Sequence, residues 1–116
     1  MTAQEILHNN YEMKDESFLY YLQKKHIFHK DGLRQLCSSI YTLAEENIYL
    51  TAIAAEINVV YGQVLKCFLY HFDTNDPYSI TNMPENYNRM IEQLDKSVQF
   101  YFSTRILGQL PNSGNR

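Results

Sequence analysis

His26 and His29 stand three residues apart in KKHIFHKDGLR, from Lys24 to Arg34. That spacing puts two imidazoles on one helix face, as some zinc sites require. Neither a cysteine pair nor an H-E-x-x-H sequence accompanies them, so no metal is expected. DTNDPY, from Asp73 to Tyr78, alternates oxygen-bearing side chains as a calcium loop does. Pro77 stands where a third alternating ligand belongs, and the glycine and closing glutamate of such a loop are missing. Ser38, Ser39, Ser79, Cys37 and Cys67 are nucleophiles without a sequence-level base. His71 and Asp73 are close in sequence, but residues i and i+2 do not face each other on a helix. No glycine-rich phosphate loop is present. The residues therefore predict no enzyme, no catalytic residue and no cofactor. Cys37 and Cys67 fall among apolar neighbours and read as buried, reduced thiols.

The stretch TAIAAEINVVYGQVLKCFLYHF, Thr51 to Phe72, carries another pattern. Ala54, Asn58 and Val64 match the small, turn and apolar positions of a helix-turn-helix, since Asn tolerates the left-handed turn that Gly prefers. The reading surface does not match. Val60, Tyr61, Gly62, Leu65 and Lys66 would point outward, and four of these five offer neither a bidentate base contact nor a phosphate partner. The formal charge of −3 supplies no general basic field. A DNA-binding regulator is thus an alternative, and a bundle helix is the preferred reading. The basic run from Lys24 to Arg34 reads as a solvated helix end.

Charge is uneven along the chain. Five basic residues balance five acids from Met1 to Ile40, whereas Tyr41 to Thr104 holds three basic residues and eight acids. Ten Tyr and six Phe exceed what a core of this size needs, and Tyr suits an adhesive surface. Together these features point to a surface for a basic protein. The candidate contacts are Asp73, Asp76 and Tyr78 in the polar loop, with Glu85, Arg89, Glu92 and Asp95 on the outer face of the last helix. Glu45 and Glu46 are second choices.

The elements that must position these residues are all helical. Gly and Pro number only four and three, and apolar residues recur at three- and four-residue steps. A short helix is expected from Thr2 to Asn9, and a second from an Asp15 cap with Phe18, Leu19, Leu22 and His26 inward. HKDG should form a turn. A third helix from Asp31 or Gly32 carries the stripe Leu33, Leu36, Cys37, Ile40, Leu43 and Ala44. The fourth, from Tyr49 to Phe72, is apolar over most of its girth and should lie at the centre, covered on several sides. The last should start at Met83 or Pro84 and stop at Gly108. The expected architecture is an all-α, single-domain bundle of four to five helices around a central apolar helix over residues 1–108, with 109–116 a disordered tail. No run is expected to reach the roughly 20 apolar residues of a membrane span, and the chain is expected to be cytoplasmic with no membrane partner.

In this overall character the sequence resembles the immunity proteins of bacterial polymorphic-toxin and contact-dependent growth inhibition systems. The likeness spans about Phe18 to Leu107, including LTAIAAEINVVYGQVLKCFLYHF and NMPENYNRMIEQLDKSVQFYFSTRIL. Within those systems it is nearest the small helical type that neutralises an EndoU-like RNase toxin domain. The resemblance implies stoichiometric inhibition of a cognate toxin, a nuclease with a basic cleft, with no direct nucleic-acid contact. It supplies no shared binding motif, so the contact residues named above come from this sequence alone. A helical protein-binding adaptor or homodimer is the other alternative.

Overall fold

The computed structural model describes residues 1–109, and every regular element among them is helical. α1 is Ala3–Tyr11, and the short α2, Phe18–Tyr20, runs directly into a π-helical turn, Tyr21–Lys25. α3 is Lys30–Glu45, α4 is Thr51–Phe72 and α5 is Tyr87–Gln109. The expected all-α bundle is formed. The tail from residue 110 onward lies outside the described residues.

Local chemistry explains the boundaries. Thr2 and Glu5 form a reciprocal capping box, so Thr2 is the cap of α1 rather than its first residue. Ser17, not Asp15, caps α2 by accepting from the Tyr20 amide at 3.2 Å. The ring Nδ1 of His29 accepts from the Gly32 amide at 2.9 Å, which starts α3 one or two residues earlier than expected and draws the end of HKDG into the helix. Helix ends are made without glycine. Met13 follows α1 and Asn47 follows α3, both with positive φ. In each case the next amide reaches back five residues: Lys14 to the Asn9 carbonyl and Ile48 to the Leu43 carbonyl, each at 2.9 Å. His26 closes the π-helical turn in the same left-handed region, which leaves its ring exposed rather than inward. Conversely, α5 continues through Gly108, because a glycine weakens a helix by only about 1 kcal/mol and does not by itself end it.

The core has two principal seams. α3 lies between α1 and α5, and its predicted stripe, Leu33 to Ala44, is buried throughout. α4 packs on α1 and runs antiparallel to α5, since Phe72 meets Tyr87 and Tyr61 meets Asp95. Phe18, Leu22, Leu36, Ile57 and Leu94 are wholly enclosed. Tyr101 is also enclosed, and its hydroxyl donates to the Ile48 carbonyl at 2.8 Å. Cys37 and Cys67 are buried free thiols, as expected, and burial pushes both upward in pKa.

α4 is one uninterrupted helix, so the turn that a helix-turn-helix needs at Asn58 is not made, and Val60 points into the core. Its 22 residues include a stretch with the length and mean hydropathy, 1.3, of a membrane span, values that the core helix of a bundle also reaches. In the bundle its buried side holds Ile53, Ile57, Val60, Val64 and Phe68. Cover on several sides does not extend to the last two turns, where Leu69, Tyr70 and Phe72 are exposed. α1 and α2 are too short to follow α4 to its end.

Candidate partner-binding surface

The segment from Asp73 to Asn86 that joins α4 to α5 is polar in composition but is tied down at many points. The Asp73 and Asp76 carboxylates accept from the Asn75 and Tyr78 amides at 2.9 and 2.8 Å. These are local turns built by Asp side chains on their own backbone. His71 Nδ1 accepts from the Ile80 amide at 2.8 Å, and Ile80 is buried. Asn82 bonds both backbone groups of Phe28, and the Thr81 amide donates to the His26 carbonyl. The segment is therefore fastened to the π-helical turn, and its position relative to the ends of α4 and α5 is fixed.

This fastening decides the fate of the predicted contact residues. Tyr78 is half-buried, its hydroxyl donating to the Leu22 carbonyl at 2.7 Å, and burial pushes the phenol well above its usual range. It is a structural clasp rather than a free surface group. Asp95 does not sit on the outer face of α5 either. It turns toward α4 and accepts from the Tyr61 hydroxyl at 2.6 Å, and burial together with this bond pushes Tyr61 up to about 12. Glu85 precedes α5 instead of lying on it, because Pro84 to Asn86 form turns before the helix begins at Tyr87. Arg89 and Glu92 are exposed on the first turns of α5 as expected. Glu45 and Glu46 are exposed at the end of α3, beside the Tyr49–Tyr101 contact. They stand apart from Glu92, since nine residues of α5 separate Glu92 from Tyr101, about 14 Å of helix.

What gathers instead is a groove between the last turns of α4 and the first turns of α5. Phe68 and Tyr87 form its floor, with Leu65, Leu69 and Phe72 on one wall and Asn88, Ile91 and Glu92 on the other. It encloses about 570 Å³. Phe72 and Tyr87 meet at 5.1 Å between ring centres, which holds the two helix ends together at its mouth. Leu69 is 69% exposed and Phe72 52%, large values for such side chains. Asp73 follows Phe72 directly, Glu85 lies two residues before Tyr87, and both are exposed. The predicted acid set is thus divided: Glu92 lines the groove, Asp73 and Glu85 are exposed next to its lining residues along the chain, Asp76 and Asp95 are half-buried and hydrogen-bonded, and Glu45 and Glu46 are remote.

The apolar half of this site carries no separate signal in the sequence, because Leu65, Leu69 and Phe72 extend the same helical stripe as the buried Val64 and Phe68. A second polar group joins α1 to α4. His8 Nδ1 lies 2.8 Å from Glu56 Oε2 and its Nε2 lies 3.3 Å from Glu12, which also pairs with Lys14. The hydrogen bond to Glu56 holds the His8 ring above its ordinary pKa, assisted by the charges of Glu56 and Glu12. The other Glu56 oxygen is buried without a partner among the described residues. No group of three or more His, Cys, Asp or Glu is arranged to hold a metal ion among the described residues.

No family model, no curated protein and no solved structure matches the chain.

Proposed function

We propose that this chain is a stoichiometric inhibitor that binds a basic protein, in the manner of an immunity protein neutralising a cognate nuclease toxin in the bacterial cytoplasm. The observation that carries this reading is the coincidence of exposed apolar side chains and acids at the α4–α5 end. Leu69 and Phe72 offer area that excludes water on binding, Glu92 lines it, and the exposed Asp73 and Glu85 adjoin its lining residues along the chain. Apolar anchors ringed by charge provide slow release, while opposite charge accelerates encounter with a basic cleft. Inhibition of this kind asks no chemistry of the inhibitor. It requires only that a tightly held surface occupy the substrate path or an adjoining face. The protein-binding adaptor would use the same surface and differs only in what its partner does.

The test is co-expression with the C-terminal domain encoded immediately upstream, followed by size exclusion and a growth assay. The expected result is a stable one-to-one complex and restored growth. A toxic neighbour domain that neither binds nor is neutralised contradicts the inhibitor reading. A complex without any effect on growth assigns the surface to an adaptor.

A further inference from the structure

The groove has a shape and a charge that define the element it takes. Leu65, Leu69 and Phe72 are spaced i, i+4 and i+7 on α4, and Tyr87 and Ile91 are spaced i and i+4 on α5. The groove is thus lined by a ridge about two helical turns long, roughly 10 Å, on α4 and by a shorter one of about one turn, roughly 6 Å, on α5. A third helix lying along two antiparallel helices is the ordinary way to cover such ridges. On the partner it calls for apolar side chains at i, i+3 or i+4, and i+7.

Charge selects among helices. From Leu65 to Asp95 there are two basic residues, Lys66 and Arg89, and five acids; the rest of the chain holds eight of each. The whole formal charge of −3 therefore falls on the segment that builds the groove. The carbonyl end of α4 adds a partial negative charge beside Asp73. A second copy of the chain would bring this acidic rim against itself, and like charges across an interface are costly.

We infer that the α4–α5 groove receives an amphipathic helix of a partner protein whose polar flanks carry Lys or Arg. This rests on the protein-binding reading above and gives it a docking mode. Leu69 is the central anchor, and Glu92 on α5 pairs with a basic flank.

The experiment uses the full chain and two synthetic peptides of about 18 residues, five helical turns. Both carry leucine at the i, i+4, i+7 pattern, one with Lys and Arg on its polar face and the other with Glu. Amide shifts by NMR and anisotropy at about 50 and 200 mM salt report site and affinity. The basic peptide is expected to bind about tenfold or more tightly than the acidic one, more weakly at the higher salt. Its shifts should concentrate on Leu65, Leu69, Phe72, Tyr87 and Ile91, and Leu69→Asp should remove binding. Because Leu69 is mostly exposed, that variant should keep the wild-type melting temperature. Shifts elsewhere, equal affinity for both peptides or no saturable binding overturn the inference. So does a concentration-dependent dimer that Leu69→Asp abolishes, since the occupant is then a second copy. In the growth assay, a Leu69→Asp chain that still neutralises the toxin rejects the groove and leaves the inhibitor reading standing, whereas failure of the wild-type chain rejects that reading itself.

Discussion

The two ends of α4 carry similar residues and meet different fates. From Ile53 to Val64 the apolar side is closed by α1, α2 and the wall formed with α5, and Ile57 and Val64 have no exposure. From Leu69 to Phe72 the same kind of side chain opens on solvent, with Leu69 the most exposed of the helix's large apolar residues. Composition therefore does not separate a packed face from an exposed one. Separation comes from neighbours: α1 and α2 end before the last turns of α4, and the 73–86 segment is fastened to the π-helical turn instead of covering the groove.

Substitutions sharpen this contrast. At the closed end, Phe18→Ala should cost about 3–5 kcal/mol in denaturant unfolding, as a large enclosed side chain is deleted. At the open end, Leu69→Ala should remain within about 0.5 kcal/mol of wild type. Comparable losses at both positions would mean that the groove is closed in solution. Next in size is Asn10→Ala. The Asn10 side chain accepts from the Leu19 amide and donates to the Ile6 carbonyl, both at 3.0 Å, while 2% exposed. Its removal leaves a buried amide unpaired and should cost about 1–3 kcal/mol by the same unfolding measurement.

Glycines divide the same way. A Cβ on Gly32 would stand 2.9 Å from His29 Nδ1 and 3.2 Å from the Phe18 Cα, so Gly32→Ala should lower the melting temperature by disturbing both the α3 cap and the α2 contact. Gly62 has nothing within 4 Å of that position. Gly62→Ala should therefore stabilise by about 0.5–1 kcal/mol through helix propensity alone.

The smallest expected effect is one of pH. The partners of His8 raise its pKa in the fold above 6.5, its ordinary value. A raised pKa means that the folded state holds the proton more tightly than the unfolded chain does. The contribution is full below pH 6.5 and is lost as pH rises through the raised value. Thermal melts should show a modest decline in stability over that window, absent in His8→Gln. An unchanged slope in the variant would remove His8 as its source.

The helical class and the α3 stripe were legible because a one-sided stripe has a single physical solution, burial against a neighbour. Cys37 and Cys67 were legible for the same reason. Boundaries were less so. Met13, His26 and Asn47 end their helical segments in a left-handed conformation that glycine usually signals, while Gly108 sits inside one. Among the residues expected at the surface, Asp73, Glu85, Arg89, Glu92, Glu45 and Glu46 are exposed. Tyr78 and Asp95 are not: each turns to a partner, the Leu22 carbonyl and Tyr61, 56 and 34 residues away in the chain. The groove was invisible because α4 has no periodic break where its cover ends.

The most direct measurement is co-purification of the wild-type chain, Leu69→Asp and Glu45→Lys with the C-terminal domain encoded immediately upstream, read as the fraction of that domain held in complex and the growth permitted. The account predicts that wild type and Glu45→Lys bind and protect alike, while Leu69→Asp folds normally yet loses both. Protection by Leu69→Asp together with failure of Glu45→Lys would place the working surface at the other end of the bundle and contradict it.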